Sequence, residues 1–545
     1  MEHSVRERGF VVDLFARRIF PAELSVHQGR IQAIVPMEAQ QVERVYLLPG
    51  FVDAHVHVES SLLPPPEFAR LATVHGTVAT VSDPHEIANV LGIEGVRYMM
   101  RTGQQVPFKF CFGAPSCVPA TRFESAGAEL SADDIRTLFT EGITYLSEMM
   151  NFPGVLSGDP DVLAKLAVAR AMGRPIDGHA PGLRGEQVRQ YAAAGITTDH
   201  ECTELEEALE KIAAGMKILI REGSAARNFD ALHPLLRLHP ESCMFCTDDQ
   251  HPDLLVQGHI NELVRRAVAL GYDLFDVLRA ASLHPVQHYG LPVGFLRVGD
   301  PADFIVVEDL TDFRVLRTYI NGELVASEGK PLLEHRSVEC PNQFRARPKR
   351  VEEFRLPAQG TRARVIEAYD GQLLTGELLL PVRTHDGEVL PDPEQDILKL
   401  TVVNRYTDAP PAVALIRGFG LRRGALASSV AHDSHNVIAV GASDEELCRA
   451  VNAVIEHRGG LAVVEGEEVL VLPLPIAGLM SPEDGYTVAR LYTALDQRAK
   501  QLGSPLRAPL MTLSFMALLV IPALKLSDRG LFDGRGFRFT SLWAE

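Results

Sequence analysis

Cysteine is scarce in this chain, and its scarcity limits the class of protein to which the chain can belong. Seven cysteines occur among 545 residues, scattered from Cys111 to Cys448. An odd, scattered set does not form the disulfide framework of a small secreted protein. Cys243 and Cys246 lie in one apolar run, and on a strand their thiols would face opposite sides. We interpret them as buried thiols rather than a zinc or redox pair, and we expect a reducing compartment.

Long apolar runs are also missing. The longest, Leu510–Leu524, has 15 residues and contains Pro522, whereas a helix that spans a bilayer needs roughly 20 apolar residues. The first eight residues, MEHSVRER, are charged and lack the apolar centre of a signal peptide. These observations predict a cytoplasmic protein with no membrane partner.

Lys and Arg are not in excess along most of the chain. The formal net charge is -18, and no Lys/Arg-rich stripe offsets it, which argues against a nucleic-acid surface and against binding to anionic membranes. The one basic stretch, residues 336–350, contains proline and is interpreted as a solvated linker. The expected partner is therefore a small molecule.

One apolar segment near residue 50 ends in two histidines, His55 and His57. Side chains alternate between the two faces of a strand, so residues spaced i, i+2 project to the same side and can bind one metal ion through their imidazole nitrogens. An isolated HxH is weak evidence for a metal site. Its interpretation depends on what other residues the fold brings to the same place.

Between residues 50 and 298, short apolar runs alternate with helix-like segments, the pattern that builds a parallel sheet. Eight such units predict an α/β fold with a TIM-type (β/α)8 barrel, whose chemistry lies at the carboxyl ends of the strands. The predicted strands are Phe51–His57, Thr77–Asp83, Phe108–Phe112, Ile143–Glu148, Pro175–His179, Ile196–His200, Lys217–Arg221 and Cys243–Asp248.

Six residues of the types that bind metals fall at or next to these strand ends. Each has a simple alternative explanation, such as a loop carboxylate for Glu148 or a helix cap for Asp248, but six on one rim favour a metal centre. Four histidines and two carboxylates supply enough donors for two divalent metals with Glu148 as the shared ligand. Metal-activated water, with Asp248 relaying its proton, would make this a hydrolase. The six predicted ligands are His55, His57, Glu148, His179, His200 and Asp248.

The chain resembles the amidohydrolase superfamily and, within it, the adenine deaminase family. The resemblance runs along nearly the whole chain. Its HxH belongs to the superfamily at large, whereas the SEMM, REGS and AHDSHN segments are similar to adenine deaminases in particular. Many superfamily relatives have a carboxylated lysine where Glu148 stands here. The matching segments are 49–61 (PGFVDAHVHVESS), 82–92 (SDPHEIANVLG), 114–119 (APSCVP), 147–154 (SEMMNFPG), 177–183 (DGHAPGL), 199–203 (DHECT), 221–227 (REGSAAR), 247–252 (TDDQHP), 418–436 (GFGLRRGALASSVAHDSHN), 472–480 (LPLPIAGLM) and 511–513 (MTL).

The resemblance implies hydrolysis of adenine to hypoxanthine and ammonia in purine salvage. Glu148 and Asp248 would be the catalytic residues of a binuclear divalent metal site, with Mn²⁺ favoured and Fe²⁺ or Zn²⁺ also compatible with such ligands. It also implies a homo-oligomer, commonly a dimer. Adenine is the implied small-molecule substrate.

The resemblance and the strand patterns together divide the chain into five parts. Residues 1–48 and 301–335 are β-rich, and the superfamily implies that they form one small β-sandwich beside the catalytic barrel of residues 49–300. Residues 336–350 are the linker. Residues 351–545 form a C-terminal α/β domain of the adenine deaminase type, with strand-like runs but few chemical signals.

Several residues just beyond the strand ends are candidates for contact with the purine, and a loop or supporting role is an equal alternative for each. Two of them open an apparent helix over Glu86–Met100, where an acidic residue is favourable for the helix dipole alone. The candidates are Glu59, Ser60, His85, Glu86, Asn151, Arg221 and Glu222.

One polar segment of the C-terminal domain, His432–Asn436, has enough donors to bind a further metal or to close over the barrel mouth. An ordinary polar turn is the preferred interpretation.

Three other functions compete with adenine deamination. A zinc deaminase of the cytidine type would need PCxxC, but Ser242 precedes the only CxxC. An amidohydrolase for another aminopurine or a cyclic amide would share every metal ligand, and a non-catalytic scaffold on the same barrel would be expected to have lost some of them.

Overall fold

The structure is a computed structural model that describes residues 5–543. Residues 1–4 and 544–545, which belong to the first and last predicted domains, lie outside the described residues. Four strands precede the barrel, and alternating apolar residues of the first three face a small core of their own. These strands are β1 (Val5–Asp13), β2 (Arg18–His27), β3 (Arg30–Pro36) and β4 (Tyr46–Pro49), with a 3₁₀ turn at Ala39–Gln41.

Eight parallel strands then form the barrel. Their runs are almost wholly buried because strands covered by helices outside and by packed side chains inside have no solvent face. The barrel strands are β5 (Phe51–Val56), β6 (Thr77–Ser82), β7 (Lys109–Phe112), β8 (Leu146–Met149), β9 (Ile176–Gly178), β10 (Thr198–Asp199), β11 (Lys217–Arg221) and β12 (Cys243–Cys246). They agree with the eight predicted strands, although most end one or two residues earlier than predicted.

The barrel closes between its last and first strands. The Asp248 backbone N–H donates to the His55 carbonyl at 2.9 Å, and the His57 N–H donates to the Asp248 carbonyl at 3.1 Å. A parallel bridge between Ala114 and Leu146 joins the third strand to the fourth in the same way. Closure therefore brings the end of β12 against the end of β5, where the HxH pair lies.

Helices and short turns cover the barrel. The predicted helix Glu86–Met100 is wrong as a single element, because Gly92 adopts a φ of 63° and divides it in two. The helices are α1 (Pro65–Val74), α2 (His85–Leu91), α3 (Ile93–Gly103), α4 (Ala132–Thr140), α5 (Phe152–Ser157), α6 (Pro160–Ala171), α7 (Glu186–Ala193), α8 (Leu205–Ala213), α9 (Phe229–Leu232), α10 (Leu235–Leu238), α11 (Pro252–Leu255), α12 (Ile260–Ala269), α13 (Leu274–Leu278) and α14 (His284–Tyr289), with 3₁₀ turns at Val58–Ser61 and Pro240–Ser242 and a π-helical stretch at Arg279–Leu283.

After the barrel the chain returns to the first sheet. The strands β13 (Phe304–Val307), β14 (Val315–Ile320), β15 (Glu323–Ser327) and β16 (Lys330–Pro331) extend it in the order β16-β15-β14-β13-β4-β1-β2-β3. The two flanks of the barrel thus pair directly, through β13 and β4. On this pairing we propose the five-part division of the chain given above.

The C-terminal domain is built on a second eight-stranded sheet with the order β18-β17-β22-β21-β24-β23-β25-β26. Only the β17–β22 pair is parallel, so this domain differs from the barrel in its topology. Its elements are β17 (Arg362–Ala368), β18 (Thr375–Pro381), β19 (Thr384–His385), β20 (Glu388–Val389), β21 (Leu398–Val403), β22 (Ala412–Arg417), β23 (Ala425–Ser428), β24 (Val437–Gly441), α15 (Asp444–Glu456), β25 (Gly460–Glu465), β26 (Glu468–Pro473), α16 (Gly485–Gln501), α17 (Pro509–Ser514), β27 (Leu524–Ser527), β28 (Gly530–Asp533) and β29 (Arg538–Phe539), with 3₁₀ turns at Val351–Phe354 and Phe515–Ala517.

The largest hydrophobic core is shared between this domain and the barrel. It joins barrel residues such as Leu62 and Val81 to C-terminal residues such as Val440 and Met511. In residues 5–543, no helix combines the length and the apolar character that crossing a membrane requires.

Candidate active site

The six predicted metal ligands meet at the carboxyl ends of the barrel strands. Parallel strands end at one rim, so residues far apart in sequence become neighbours there. None of the six is more than 6% exposed. Ligand atoms of His55, His200 and Asp248 lie within 4.8 Å of one another, and so do those of Glu148, His179 and His200.

Glu148 lies at the centre of the cluster. Its Oε1 is 3.2 Å from His57 Nε2, and its Oε2 is 3.1 Å from His200 Nε2 and 2.6 Å from His179 Nδ1. Burial alone would raise the pKa of this carboxyl, but the surrounding histidines hold its pKa well below the ordinary value. Glu148 is therefore ionised and reaches the groups on both sides of the cluster.

Asp248 faces the other part of the cluster. Its Oδ1 is 3.1 Å from His57 Nε2 and 3.5 Å from His55 Nε2. Its Oδ2 accepts a hydrogen bond from Arg221 at 2.5 Å. Burial would raise the pKa of Asp248, but Arg221 and the neighbouring histidines hold its pKa well below the ordinary value. The backbone has a φ of 57° here, a strained conformation for a residue other than glycine and one that concentrates at functional sites.

The donor set fits divalent metal. His57 Nδ1 lies 3.0 Å from the Asp83 carbonyl, which can only accept, so Nδ1 carries the proton and the lone pair is on Nε2. That lone pair faces two carboxylates, which are acceptors as well, and such an arrangement is stable only with a cation or an extra proton between them. Among the described residues, Nε2 of His55, His179 and His200 is buried without a hydrogen-bond partner. A metal-binding histidine usually donates a hydrogen bond from its other ring nitrogen, as His57 does here through Nδ1.

Several residues that the sequence did not single out hold these ligands in place. The Tyr191 hydroxyl accepts from the His179 N–H at 3.0 Å and donates to the Met149 carbonyl at 2.7 Å, which links the ends of β8 and β9. The Asn228 amide donates to the His200 carbonyl at 3.0 Å. Neither residue has a motif around it, so only the fold reveals this role.

Four of the predicted substrate contacts lie beside the cluster. His85 Nδ1 is 3.5 Å from Glu148 Oε1 and 3.0 Å from Asp83 Oδ2. Ser60 donates to Asp249 Oδ1 at 2.5 Å. Glu59 accepts from the Ile87 N–H through Oε1, while its Oε2 is buried without a partner, and burial raises its pKa to about 7. The fourth, Glu86, joins the cluster to the C-terminal domain.

The other three predicted contacts have different surroundings. Arg221 is paired with Asp248 and with Glu201, a carboxylate that the sequence did not single out. Glu222 turns to Arg266 at 2.6 Å and lines a separate cavity of about 350 Å³. Asn151 caps α5 by accepting from the Gly154 N–H at 2.9 Å. The structure therefore does not bring the side chains of Glu222 and Asn151 into contact with the metal-ligand cluster.

The segment His432–Asn436 is not an ordinary polar turn, and that interpretation is wrong. All five residues are buried, the most exposed at 4%. His432 Nδ1 lies 2.7 Å from Glu86 Oε1, and His435 Nε2 contacts Glu86 Oε2. The Asn436 amide donates to the Ser125 carbonyl at 2.8 Å. This loop of the C-terminal domain covers the barrel rim next to the predicted metal ligands.

Comparison with known proteins finds relatives that match this chain over its full length. Residues 46–325 match the amidohydrolase family, and residues 372–538 match the adenine deaminase C-terminal domain. The adenine deaminase of Salinibacter ruber is 60% identical over 100% of both chains. That of Sulfurovum sp. is 58% identical over 97% of this chain and 98% of its own. Among solved structures, the N-acetyl-D-glucosamine-6-phosphate deacetylase from Mycobacterium smegmatis aligns with a TM-score of 0.45 and 19% identity, covering 59% of this chain and 100% of that chain.

Proposed function

This chain belongs to the adenine deaminase family of the amidohydrolases, and we infer that it catalyses the hydrolytic deamination of adenine. The oxygen of water bonds to C6 of the purine, the bond between C6 and the amino nitrogen breaks, and ammonia leaves with the proton taken from water. The products are hypoxanthine and ammonia. In the cell this reaction returns the purine ring to salvage.

The residues proposed to hold metal are the six that the barrel rim brings together, with Glu148 shared between two ions. Membership in the amidohydrolase family implies divalent metal. A bound metal pair supplies Lewis acidity, which lowers the pKa of water and makes it nucleophilic near neutral pH. The buried carboxylates facing imidazole lone pairs are the observation that supports this site.

Asp248 is the proposed proton carrier. Its carboxylate is ionised, so it can accept a proton from the attacking water and then deliver it to a ring nitrogen or to the departing amine. Arg221 donates to its Oδ2, and the backbone of Asp248 is hydrogen-bonded to His55 and His57 at the end of β5, which leaves Oδ1 facing the histidines. Such fixed geometry favours proton transfer without reorganisation of the site.

One observation carries the assignment: the six proposed metal ligands lie buried and close together in a chain that is 60% identical to an adenine deaminase over its full length. Its test follows the ultraviolet spectrum of adenine mixed with the Mn²⁺-loaded protein. Conversion to hypoxanthine that a chelator abolishes is the expected result. A protein with two metals bound that leaves adenine unchanged would contradict the substrate and direct the search to other aminopurines and cyclic amides.

Manganese is the proposed metal because the resemblance to adenine deaminases favours it, whereas imidazole and carboxylate ligands alone suit Fe²⁺ and Zn²⁺ as well. Reconstitution of metal-depleted protein with each ion separates them. We expect the highest turnover with Mn²⁺. Higher turnover with Zn²⁺ at equal occupancy would overturn this choice.

We also propose a cytoplasmic location and a homodimer. All seven cysteines are free, which supports a reducing compartment. Light scattering of the purified protein tests the dimer, and a monomer at micromolar concentration would contradict it.

A further inference from the structure

The loop that carries His432 reaches the catalytic rim from another domain. It follows β23 of the C-terminal sheet, and the His432 N–H donates to the Ser514 carbonyl at 3.0 Å. The ring of His432 stacks on Phe515, with centroids 4.8 Å apart and an interplanar angle of 22°. The C-terminal domain therefore contacts both the backbone and the ring of His432.

Glu86 receives this loop on the barrel side. The Ala431 N–H donates to His435 Nδ1 at 3.2 Å, so the proton of that ring is on Nε2, which faces Glu86 Oε2. The other carboxylate oxygen lies 2.7 Å from His432 Nδ1. Because a carboxylate only accepts, the Nδ1–H of His432 donates a hydrogen bond to Glu86.

The second ring nitrogen of His432, Nε2, differs from Nδ1 in its surroundings. His432 is 3% exposed, and its Nε2 is buried with no hydrogen-bond partner in residues 5–543. Leaving such a buried group unpaired is unfavourable. The nearby charges are those of Glu86, Asp433 and Asp249. Asp249 directly follows the proposed proton carrier, so one of the charges that act on the His432 ring lies beside the proposed active site.

The carboxylates around the ring, with Glu86 Oε1 at 2.7 Å from Nδ1, favour its protonated form. Burial lowers the pKa of His432, but Glu86 and Asp249 outweigh burial and raise its pKa to about 9. A protonated imidazole donates from both nitrogens. Adenine carries three unprotonated ring nitrogens, N1, N3 and N7, that accept hydrogen bonds.

We propose that His432 is a substrate-binding residue supplied by the C-terminal domain, which donates its Nε2–H to an acceptor nitrogen of the purine ring while Glu86 holds the imidazole in place. This inference rests on the proposed function, since it takes the purine as the ligand of the site. It gives the C-terminal domain a role in recognition and makes the active site a joint product of two domains.

Two substitutions separate the donor from the shape of the ring. His432→Phe keeps an aromatic ring against Phe515 and removes the donor. His432→Gln places an amide N–H near the position of Nε2. We expect kcat/KM for adenine to fall about 100-fold in His432→Phe and clearly less in His432→Gln. His457→Ala, which alters an exposed histidine of the same domain, should leave kcat/KM unchanged.

Purine analogues then identify the bond itself. The inhibition constants of 1-deazaadenine, 3-deazaadenine and 7-deazaadenine are measured as competitive inhibitors of adenine deamination, in the unaltered enzyme and in His432→Phe. The expected result is that two analogues bind about 10- to 100-fold more weakly to the variant. The third, which lacks the nitrogen bound by His432, should bind equally to both proteins.

Metal content and folding distinguish the failures. Equal weakening of all three analogues would overturn the proposal, and so would loss of a bound metal equivalent in His432→Phe, which would assign the histidine to cation binding. If His432→Phe melts well below the unaltered enzyme, His432→Leu, which also lacks the donor, replaces it in the analogue series. If the unaltered enzyme does not deaminate adenine at all, the proposed function itself has failed. This failure is seen in the unaltered enzyme, whereas failure of the His432 proposal is seen only in the variants.

Discussion

Two regions of the molecule bring charged residues to the same buried space, and they do so in different ways. The barrel supplies the proposed metal ligands from strand ends, where parallel topology alone gathers His55, Glu148 and Asp248. The C-terminal domain supplies His432 from a loop that is held by its own domain and reaches the rim only through the packing of two domains. Residues at strand ends are thus fixed by local regularity, whereas the loop residues depend on the whole tertiary structure.

The strongest expected effect comes from the centre of the barrel cluster. Glu148→Gln removes the charge that three histidines surround, so metal and turnover should be lost together. Metal analysis and adenine turnover on the same sample check this. Glu141→Gln, a change at an exposed carboxylate, should affect neither. Retained metal with unchanged turnover would show that Glu148 is not an essential metal ligand. It would also weaken the distinction drawn between the strand ends of the barrel and the loop of the C-terminal domain.

Asp248→Asn should separate chemistry from metal binding. The amide cannot carry a proton, and loss of a general acid-base group costs about 10²- to 10⁴-fold in rate. We expect turnover to fall within or beyond this range while at least one metal remains bound. Unchanged turnover would contradict the proton-carrier role.

Glu86→Gln tests the contact between the barrel and the C-terminal domain. The carboxylate holds His432 and His435 of the other domain, so its loss should lower kcat/KM about as much as loss of the His432 donor, roughly 1–3 kcal/mol for a buried unpaired partner. The double variant with His432→Phe should lose little more than either single variant, because residues that act through one contact are not additive. Full additivity would show that the two regions act independently.

A smaller effect is expected from Tyr191→Phe. Its hydroxyl links the backbone of β8 to that of His179, and supports of metal ligands typically contribute about 10- to 100-fold to metal affinity. Weaker metal retention during dialysis, with turnover restored by excess Mn²⁺, is the expected outcome. Equal retention by the variant would reduce Tyr191 to a packing residue.

The smallest effect concerns stability and contrasts two buried lysines. Lys211 in the barrel pairs with Asp199 and Glu207. Lys525 in the C-terminal domain donates only to carbonyls, those of Leu373 and Phe515, and burial lowers its pKa to about 7.

The sign of the pH dependence follows from this depressed pKa. Between pH about 7 and 10.5 the unfolded chain holds the Lys525 proton more tightly than the native state does, so stability should rise with pH across this window. Tm measured from pH 7 to pH 9 should therefore increase in the unaltered protein relative to Lys525→Met. Lys399→Met, which removes a lysine paired with Asp444 at 2.7 Å, is the matched control. Parallel Tm curves for the unaltered protein and Lys525→Met would contradict the prediction.

The sequence predicts the barrel well because the alternation of strands and helices can be recognised in short stretches of sequence. Apolar runs and helical stretches mark all eight strands, and the positions of His57 and His179 relative to them determine which residues share the rim. The interruption at Gly92 was missed, since a glycine inside a helical pattern does not reveal its φ. The surroundings of Arg221 were also missed, because its pairing with Asp248 and Glu201 joins three different strand ends.

The contribution of the C-terminal loop has a different physical basis. Nothing in the spacing of His432 and His435 states which surface will cover them, and their partner Glu86 is far away in the sequence. Only packing between domains shows that these polar residues are buried. A polar turn flanked by apolar runs is therefore ambiguous until its neighbours are known.

The proposed metal site is tested most directly by titration of metal-depleted protein with Mn²⁺, followed by the rate of adenine deamination. We expect a negligible rate without metal and a maximum rate at two equivalents per chain. A maximum at one equivalent, or full activity without added metal, would contradict the shared site around Glu148.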